Sequence, residues 1–519
     1  MNRPKTFLRT LAIALGGAIT LALAAMLGFV RVSADSPIFA PYGQIDGIEQ
    51  AQPISDELGG FPLNSANKFF DPGLGTNGQA CVTCHQPADG YDIHVSSIQK
   101  AFAATNGTDP LFRCNDTADN PFTCPSGNPA TDFNLFLNMG VVRFARPASG
   151  ISGQDFTVAP QDTPQFGPQP HTNDPEAPTA TTISVFRRPL INLNVRFDSS
   201  VLWDGREKIT DLRTQVTKAA KALLLADTVS TTDADDVAAF MLGVSIDTVS
   251  NTSVGARNTS AAGATGGVQN LLALASDTAQ PCRFDAHGNF TQSVTPPLGQ
   301  LTPPTCTLVT PGNPNMTVFG AWATLPNNPA NVGRISVARG QELFNTANLT
   351  VPSDLTGQLG SGPIHCTTCH ATNNIGNHPD ANFLVRIGTD SVQILQGLVA
   401  NPGTSNVQSL QSLVDRVSSL PQYCLRPTSD PNSFSVSPCG NDSTDVTTTD
   451  PGRALVTGHI ADVGKFKPPV LRNFISRAPY FHGGAAKEDD DLINFYNARF
   501  QIGLTDDEHN DLIAFLNSF

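Results

Sequence analysis

Two short stretches constrain this chain more than anything else in it: Cys81-Val82-Thr83-Cys84-His85 and Cys366-Thr367-Thr368-Cys369-His370. Each reads C-x-x-C-H, the attachment signature of c-type haem, in which two thiols form thioether links to the porphyrin and the next histidine takes the iron from one side. The spacing has a steric reason. Cysteines three apart lie on one face of a helical turn, so both sulfurs reach one macrocycle edge and the following His projects beneath it. A lone C-x-x-C also occurs as half a zinc site or as a redox dithiol. Zinc needs further Cys or His at short spacing and the dithiol needs a βαβ setting, and the sequence supplies neither. The expectation is two covalently bound haems c on Cys81, Cys84, Cys366 and Cys369, with His85 and His370 as iron ligands.

Haem attachment of this kind needs an exported chain, and the N-terminus agrees. Arg3, Lys5 and Arg9 precede an apolar run from Leu11 to Val30, broken only by Thr20, and Val32-Ser33-Ala34 reads as a small-residue cleavage site. The run is also long enough to span a bilayer. Residues 1–34 are therefore a signal peptide or an uncleaved anchor, and the expected location is periplasmic or extracellular, with attachment to the inner membrane in the anchored form.

Ten cysteines less the four of the haem motifs leave Cys114, Cys124, Cys282, Cys306, Cys424 and Cys439. An even remainder in an exported chain suggests three disulfides, with pairing of sequence neighbours the simplest arrangement and free buried thiols the other reading. The net charge of −14 becomes −18 once the leader, with four basic residues and no acids, is removed. Such a surface disfavours nucleic acid and anionic membrane as partners; it suits a basic partner, or a solvated face with none.

Along the 519 residues, 106–178 is rich in Pro, Asp, Asn and Gly and reads as long loop with one helix near Phe133 to Phe144. A helical pattern from Asp211 to Leu225 follows, with Thr210 as a plausible N-cap. A polar tract from Thr228 to about Val332 holds one further helix, Asp233 to Met241. The second unit opens with an amphipathic helix, Ile335 to Phe344, carries a polar insertion, Pro427 to Asp450, and closes with Thr505-Asp506-Asp507-Glu508, a capping box before Leu512, Ile513, Phe515 and Leu516. The expected class is mainly α: a leader (1–34), a first haem domain with insertions (35–332) and a second haem domain (333–519).

Three further motifs accompany the haem sites: Trp203-Asp204-Gly205-Arg206, Phe466-Lys467-Pro468-Pro469-Val470-Leu471-Arg472-Asn473, and Ala478-Pro479-Tyr480-Phe481-His482-Gly483-Gly484. With them the chain resembles the bacterial dihaem cytochrome c peroxidase superfamily, which includes MauG, from about Leu58 to the C-terminus. The resemblance implies two cytochrome c-like domains with long loop insertions, a peroxidatic first haem and a second haem as electron relay. It places Trp203 between them as a stepping stone, a role suited to an oxidisable indole held by its polar handle; plain core packing is the plainer alternative. The family's methionine ligand falls at Tyr496, and no methionine follows Met316. A thioether from the C-terminal unit is thus excluded, and MauG-like ligation by Tyr496 is the sharper expectation, packing on a helix face the blander one. A phenolate favours ferric iron.

On the open side of the first haem the chain departs from the family. Its distal His falls at Ala101, leaving His94 as the nearby substitute. Gln215 stands for the family's Gln, but Leu225 replaces the Glu that steers peroxide cleavage, with Asp227 the nearest acid. Arg206 and Arg472 are candidate partners of haem propionates, with ordinary surface or structural ion pairing the equal alternative for either; His365 and His459 read as structural. A calcium ion between the haems is a further family feature, with Asn194 and backbone oxygens near Ala478 as its candidate ligands.

The first reading is an exported oxidoreductase reducing hydrogen peroxide, with Trp203 and Gln215 as the catalytic residues. Its electrons arrive through the second haem and Trp203 from a small donor protein, a cytochrome c or cupredoxin. A MauG-like or rubber-oxygenase-like oxidant of an organic or protein substrate is the second, and a non-enzymatic dihaem electron carrier the third.

Overall fold

Local sequence decides where the backbone of this chain can turn, and its helices are accordingly short. The computed structural model describes residues 66–160, 181–192, 194–195, 198–251, 259–266, 316–370, 376, 378, 380–429, 444–474 and 477–518, with the strand segments Gly47–Pro53, Gln169–Pro170, Arg283–Phe284 and Phe290–Thr291. The chain divides into Met1–Pro37 and Ile38–Phe519, and all of the elements below belong to the second part. The leader lies outside the described residues, as do Cys282, Cys306 and Cys439.

The first haem motif forms a single turn, α1 (Cys81–Cys84). Helix α2 (Val95–Thr105) ends at Asn106 and α3 (Asn134–Met139) ends at Gly140, each stop made by a left-handed residue. The helix expected from Phe133 to Phe144 is therefore shorter. Beyond Gly140 the β-branched pair Val141-Val142 leads into a strand, β1 (Val142–Pro147). Two more strands follow, β2 (Phe156–Pro160) and β3 (Thr181–Arg187), and β1 pairs with β3 in antiparallel register from Val142–Arg187 to Pro147–Thr182.

Helix α4 (Leu212–Leu223) starts one residue later than the expected Thr210 cap allows. Thr210 sits in a 3-10 turn, Ile209–Asp211, and Asp211 occupies the cap position without a side-chain bond. The helix buries Leu212, Val216 and Ala220, spaced four apart. It packs on α5 (Thr231–Gly243), whose cap is Ser230 Oγ accepting from Asp233 N at 3.1 Å.

The later part holds α6 (Val332–Thr346), α7 (Cys366–Cys369), α8 (Val392–Ala400), α9 (Val407–Ser418), strands β4 (Tyr423–Pro427) and β5 (Val446–Thr448), and α10 (Asp489–Arg499) and α11 (Asp506–Leu516). The capping box expected at Thr505 and Glu508 forms in full. Helices α6 and α11 cross, with the Phe344 ring 5.3 Å from Phe515. A Cβ on Gly340 would collide with the carbonyl oxygen of Asp511, so only glycine permits this approach. Arg339 then clamps Asp511 with two hydrogen bonds of 2.6 and 2.7 Å.

Trp322 is fully buried in the same core, with Nε1 donating to Ala261 O at 2.8 Å. The segment around it is tied to α6 by Gln341, which accepts from Phe319 N, and by Asn345, bonded to both backbone atoms of Met316. A second core lies under α4 and α5.

A three-stranded sheet of order β5-β4-β2 joins distant parts of the chain: β4 pairs antiparallel with β2 from Tyr423–Pro160 to Pro427–Phe156. Phe156, Ile183, Val185, Tyr423, Leu425 and Leu455 close a core beneath it, and Tyr423 donates its hydroxyl to Ser184 O at 2.7 Å. Cys114 and Cys124 are bonded, as neighbour pairing expects. Cys424 is also in a disulfide.

Candidate haem sites

The two motifs fold alike. Each turn follows an extended residue, Ala80 (φ −124°, ψ 171°) or His365 (φ −124°, ψ 168°), whose N–H donates to the hydroxyl of Thr83 or Thr368. In each, the histidine N–H returns to the first cysteine's carbonyl at 3.0 Å. His85 Nδ1 lies 3.0 Å from Tyr91 O, and His370 Nδ1 lies 2.6 Å from Gly376 O. A backbone carbonyl at Nδ1 fixes the ring's tautomer and turns Nε2 outward as a metal ligand. Burial pulls His85 below its ordinary pKa and His370 down to about 4, so both rings are neutral and able to bind a metal. It also pushes the thiols of Cys81, Cys366 and Cys369 up to about 12, and that of Cys84 further still.

Cys366, Cys369 and His370 line one large cavity with Trp203, His482 and Tyr496. Its empty space is about 1440 Å³, open mouth included. Tyr496 comes from α10, where its ring stacks on Phe500 at 6.0 Å and sits 6.0 Å from Phe481. Burial, with the nearby Cys369 and Cys366, pushes its phenol well above the usual tyrosine range. The structure thus brings Tyr496 and the second motif together. A free phenol here is a neutral group, and only a bound cation would draw off its proton.

Trp203 is buried on the same cavity and held at both ends of its residue. Its Nε1 donates to Arg188 O at 2.9 Å, and its carbonyl accepts from Lys467 N at 2.8 Å. The neighbouring Asp204 is fully buried between Arg187 (2.6 Å) and Arg206 (2.5 Å), and Arg187 also grips Asp450 with bonds of 2.6 and 2.9 Å. Burial pushes the Asp204 carboxyl up, but Arg206, Arg187 and Arg146 together hold it well below the usual range. Arg206, a candidate propionate partner, pairs with Asp204.

Around the first motif, Cys81 packs on the α4–α5 core, while Cys84 packs with Ala101, Phe102, Ile98 and Cys124 in another apolar cluster. Ala101 is thus beside the attachment turn but brings no polar atom. His94 opens α2, with Nδ1 3.6 Å from Asp89 Oδ1 and a buried Nε2 that has no hydrogen-bond partner. Gln215 is half-buried on α4, next to the buried Val216. Leu225 is half-buried with φ 54°, and Asp227 is exposed.

Sequence reasoning missed Asp116. It is buried inside the loop closed by Cys114 and Cys124, and its Oδ1 has no hydrogen-bond partner. Burial raises its carboxyl to about 7 against the opposing pull of Arg143 and Arg113, and its charge is felt at Cys84. No spacing pattern marks it; only the fold brings it there.

The remaining expectations find plain places. His365 lines the cavity with Nδ1 2.9 Å from Ala347 O, and the exposed His459 lies 3.2 Å from Asp155. Asn194 is fully buried with φ 60°, Arg472 is buried, and Ala478 precedes a cis proline. Among the described residues no three His, Cys, Asp or Glu side chains cluster as a metal site, and no helix is long and apolar enough to cross a membrane.

No protein-family model matches this chain. It is 34% identical over 80 residues to cytochrome-c peroxidase IdrP1 of Denitromonas iodatirespirans, a stretch amounting to 13% of this chain. The chain spans 21% of that relative's length, so the likeness reaches a peroxidase over a short segment.

Proposed function

We propose that this chain is an exported dihaem c-type oxidoreductase of peroxidase type. It reduces hydrogen peroxide to two waters with two protons and two electrons, the electrons coming from a small cytochrome c or cupredoxin by way of the second haem and Trp203. The observation that carries the reading is the repeated turn, in which both motif histidines hold Nδ1 against a backbone carbonyl. The short likeness to a cytochrome-c peroxidase supports the same reaction class.

The residues present fit the group. A mostly apolar cavity lined by Cys366, Cys369, His370 and Tyr496 suits a macrocycle that the two thiols would hold covalently, with His370 and Tyr496 as the side chains available to its iron. When bound, haem iron supplies the redox chemistry. His85 and His370 would each offer an imidazole nitrogen to one bound iron. The indole of Trp203 offers an oxidisable ring whose orientation is fixed by Arg188 O. Moving a proton between the peroxide oxygens needs a base; Leu225 supplies none at the family position, and the buried Nε2 of His94 is a candidate. Two cytochrome c-like domains, joined near residue 332 and padded by disulfide-bearing loops, are the fold that goes with this function.

Tyr496 favours a second reading, a MauG-like or rubber-oxygenase-like oxidant of a larger organic or protein substrate, because a phenolate supports a high oxidation state and the carboxylate at position 225 is missing.

The test uses the full chain made with a haem-attachment system. Two added haem masses, a high-spin ferric component and rapid peroxide-dependent oxidation of a reduced small cytochrome are expected. Haem-free protein overturns the reading. Two low-spin haems inert to peroxide leave an electron carrier.

A further inference from the structure

We infer that Asp116 is a redox-linked proton site of the first haem: its carboxylate takes up a proton from solvent when the haem held by Cys81, Cys84 and His85 gains an electron, and returns it when that electron leaves. This coupling rests on the dihaem reading above and adds to it a residue that belongs to no haem motif.

Asp116 lies beside the first attachment turn because the chain on both sides of it does. Leu111, Phe112, Ala118 and Cys124 share one apolar cluster with Cys84. Gln79, just before that turn, donates Nε2 to Pro110 O at 2.9 Å, and the Cys114–Cys124 bridge closes the loop around Asp116. The backbone there is fixed. Thr117 Oγ1 accepts from Arg113 N at 2.8 Å and donates to Leu111 O at 2.9 Å, while Asp116 O accepts from Arg143 N at 2.6 Å.

The carboxyl group itself is held but not paired. It is 3% exposed, and its Oδ1 has no hydrogen-bond partner. Arg143 spends its guanidinium on Asn115 O and Ser184 Oγ instead, and the Nε atoms of Arg143 and Arg113 are buried without partners. Among the described residues Arg143, Arg113 and Cys84 are the ionisable groups whose charge it meets. Burial favours the acid and the two arginines favour the anion, so the carboxyl stands near balance, at about 7. Attachment of a haem turns the Cys84 thiol into a thioether and removes it as a competing charge. An electron added to that haem then acts on Asp116 across apolar surroundings that screen little, and tips it towards the acid. Peroxide reduction consumes one proton with each electron, and uptake at Asp116 keeps the buried charge constant as the electron arrives.

The test follows the midpoint potential of each haem against pH in the two-haem protein, in Asp116→Asn and in Asp119→Asn. Asp119 is the control: it lies on the same loop and is raised as far, but its carboxylate accepts from Leu135 N and feels Asp132. The parent's first haem is expected to lose potential as pH rises around 7, because the reduced state keeps the proton to higher pH. Asp116→Asn should abolish that slope and Asp119→Asn should retain it, with the second haem's curve the same in all three. A parent first haem with no slope, a slope that survives in Asp116→Asn, or one lost equally in Asp119→Asn would overturn the coupling. Should Asp116→Asn fail to hold its first haem, infrared difference spectra decide: a protonated-carboxyl band gained on reduction in both the parent and Asp119→Asn supports the coupling, and its absence from either overturns it. A parent protein without the first haem sinks the dihaem reading instead.

Discussion

The indole of Trp203 and the backbone of Arg188 form one unit, joined by a 2.9 Å hydrogen bond from Nε1 to the carbonyl oxygen. The same arginine reaches Asp92 and the carbonyl of Ile93 with its guanidinium, one and two residues beyond the Tyr91 carbonyl that fixes His85. Its N–H meanwhile donates to His482, on the cavity of the second motif. Arg188 therefore ties the ring of Trp203 to the surroundings of both histidines.

Replacing Trp203 with Phe removes the oxidisable ring and frees the Arg188 carbonyl. On the proposed function, haem content should stay at two, while electron exchange between the centres slows by about tenfold or more, roughly 1.4 kcal/mol in barrier per factor of ten. Flash or stopped-flow reduction followed at both haem bands measures it.

On the proposed function, Tyr496→Phe should leave the fold and haem attachment intact but alter the second haem's ferric spectrum and raise its midpoint potential, since the variant could offer no anionic oxygen to the iron. In haem-free protein the Tyr496 phenol should resist ionisation beyond the ordinary tyrosine range, because burial holds its proton. An ultraviolet pH titration comparing parent and variant reads this directly.

The disulfide loop carries a pH dependence of definite sign. Asp116 and Asp119 are both raised from 3.8 to about 7 by burial. The folded state then binds more protons than the unfolded chain between those values, so stability is complete below about pH 4 and falls as pH rises towards 7. The slope is at most about 1.4 kcal/mol per pH unit for each group. Asp116→Asn should flatten part of the decline and Asp119→Asn the rest, as read from urea melts across that range.

Arg187 sits buried between Asp204 and Asp450, residues far apart in sequence. Arg187→Met leaves two buried carboxylates short of a counter-charge, and should cost about 3–5 kcal/mol in chemical denaturation. The double variant that also carries Asp450→Asn should recover part of that loss.

What the sequence made legible was what obeys short-range rules. The two C-x-x-C-H turns follow from cysteine spacing and the final helix from the Thr505–Glu508 box, and α5 falls where a helix was expected from Asp233 to Met241. Tyr496 was reachable by counting along a family motif. The pairing of β2 with β4 was not, because strand partners more than 260 residues apart leave no local period. Trp322 lies in a polar tract of the sequence, and its place follows only from Gln341 and Asn345, which tie its segment to α6. Asp116 carries no motif at all; its character comes from burial, which only the folded chain decides.

The sheet that unites Phe156–Pro160 with Tyr423–Pro427 has a consequence for biogenesis. A chain synthesised amino-end first presents the earlier strand long before its mate emerges. Until then that strand is an open edge, prone to pairing with a stranger. The N-terminal half is thus no freestanding module, and a truncation made between the two strands should yield aggregate rather than a smaller, single-haem protein.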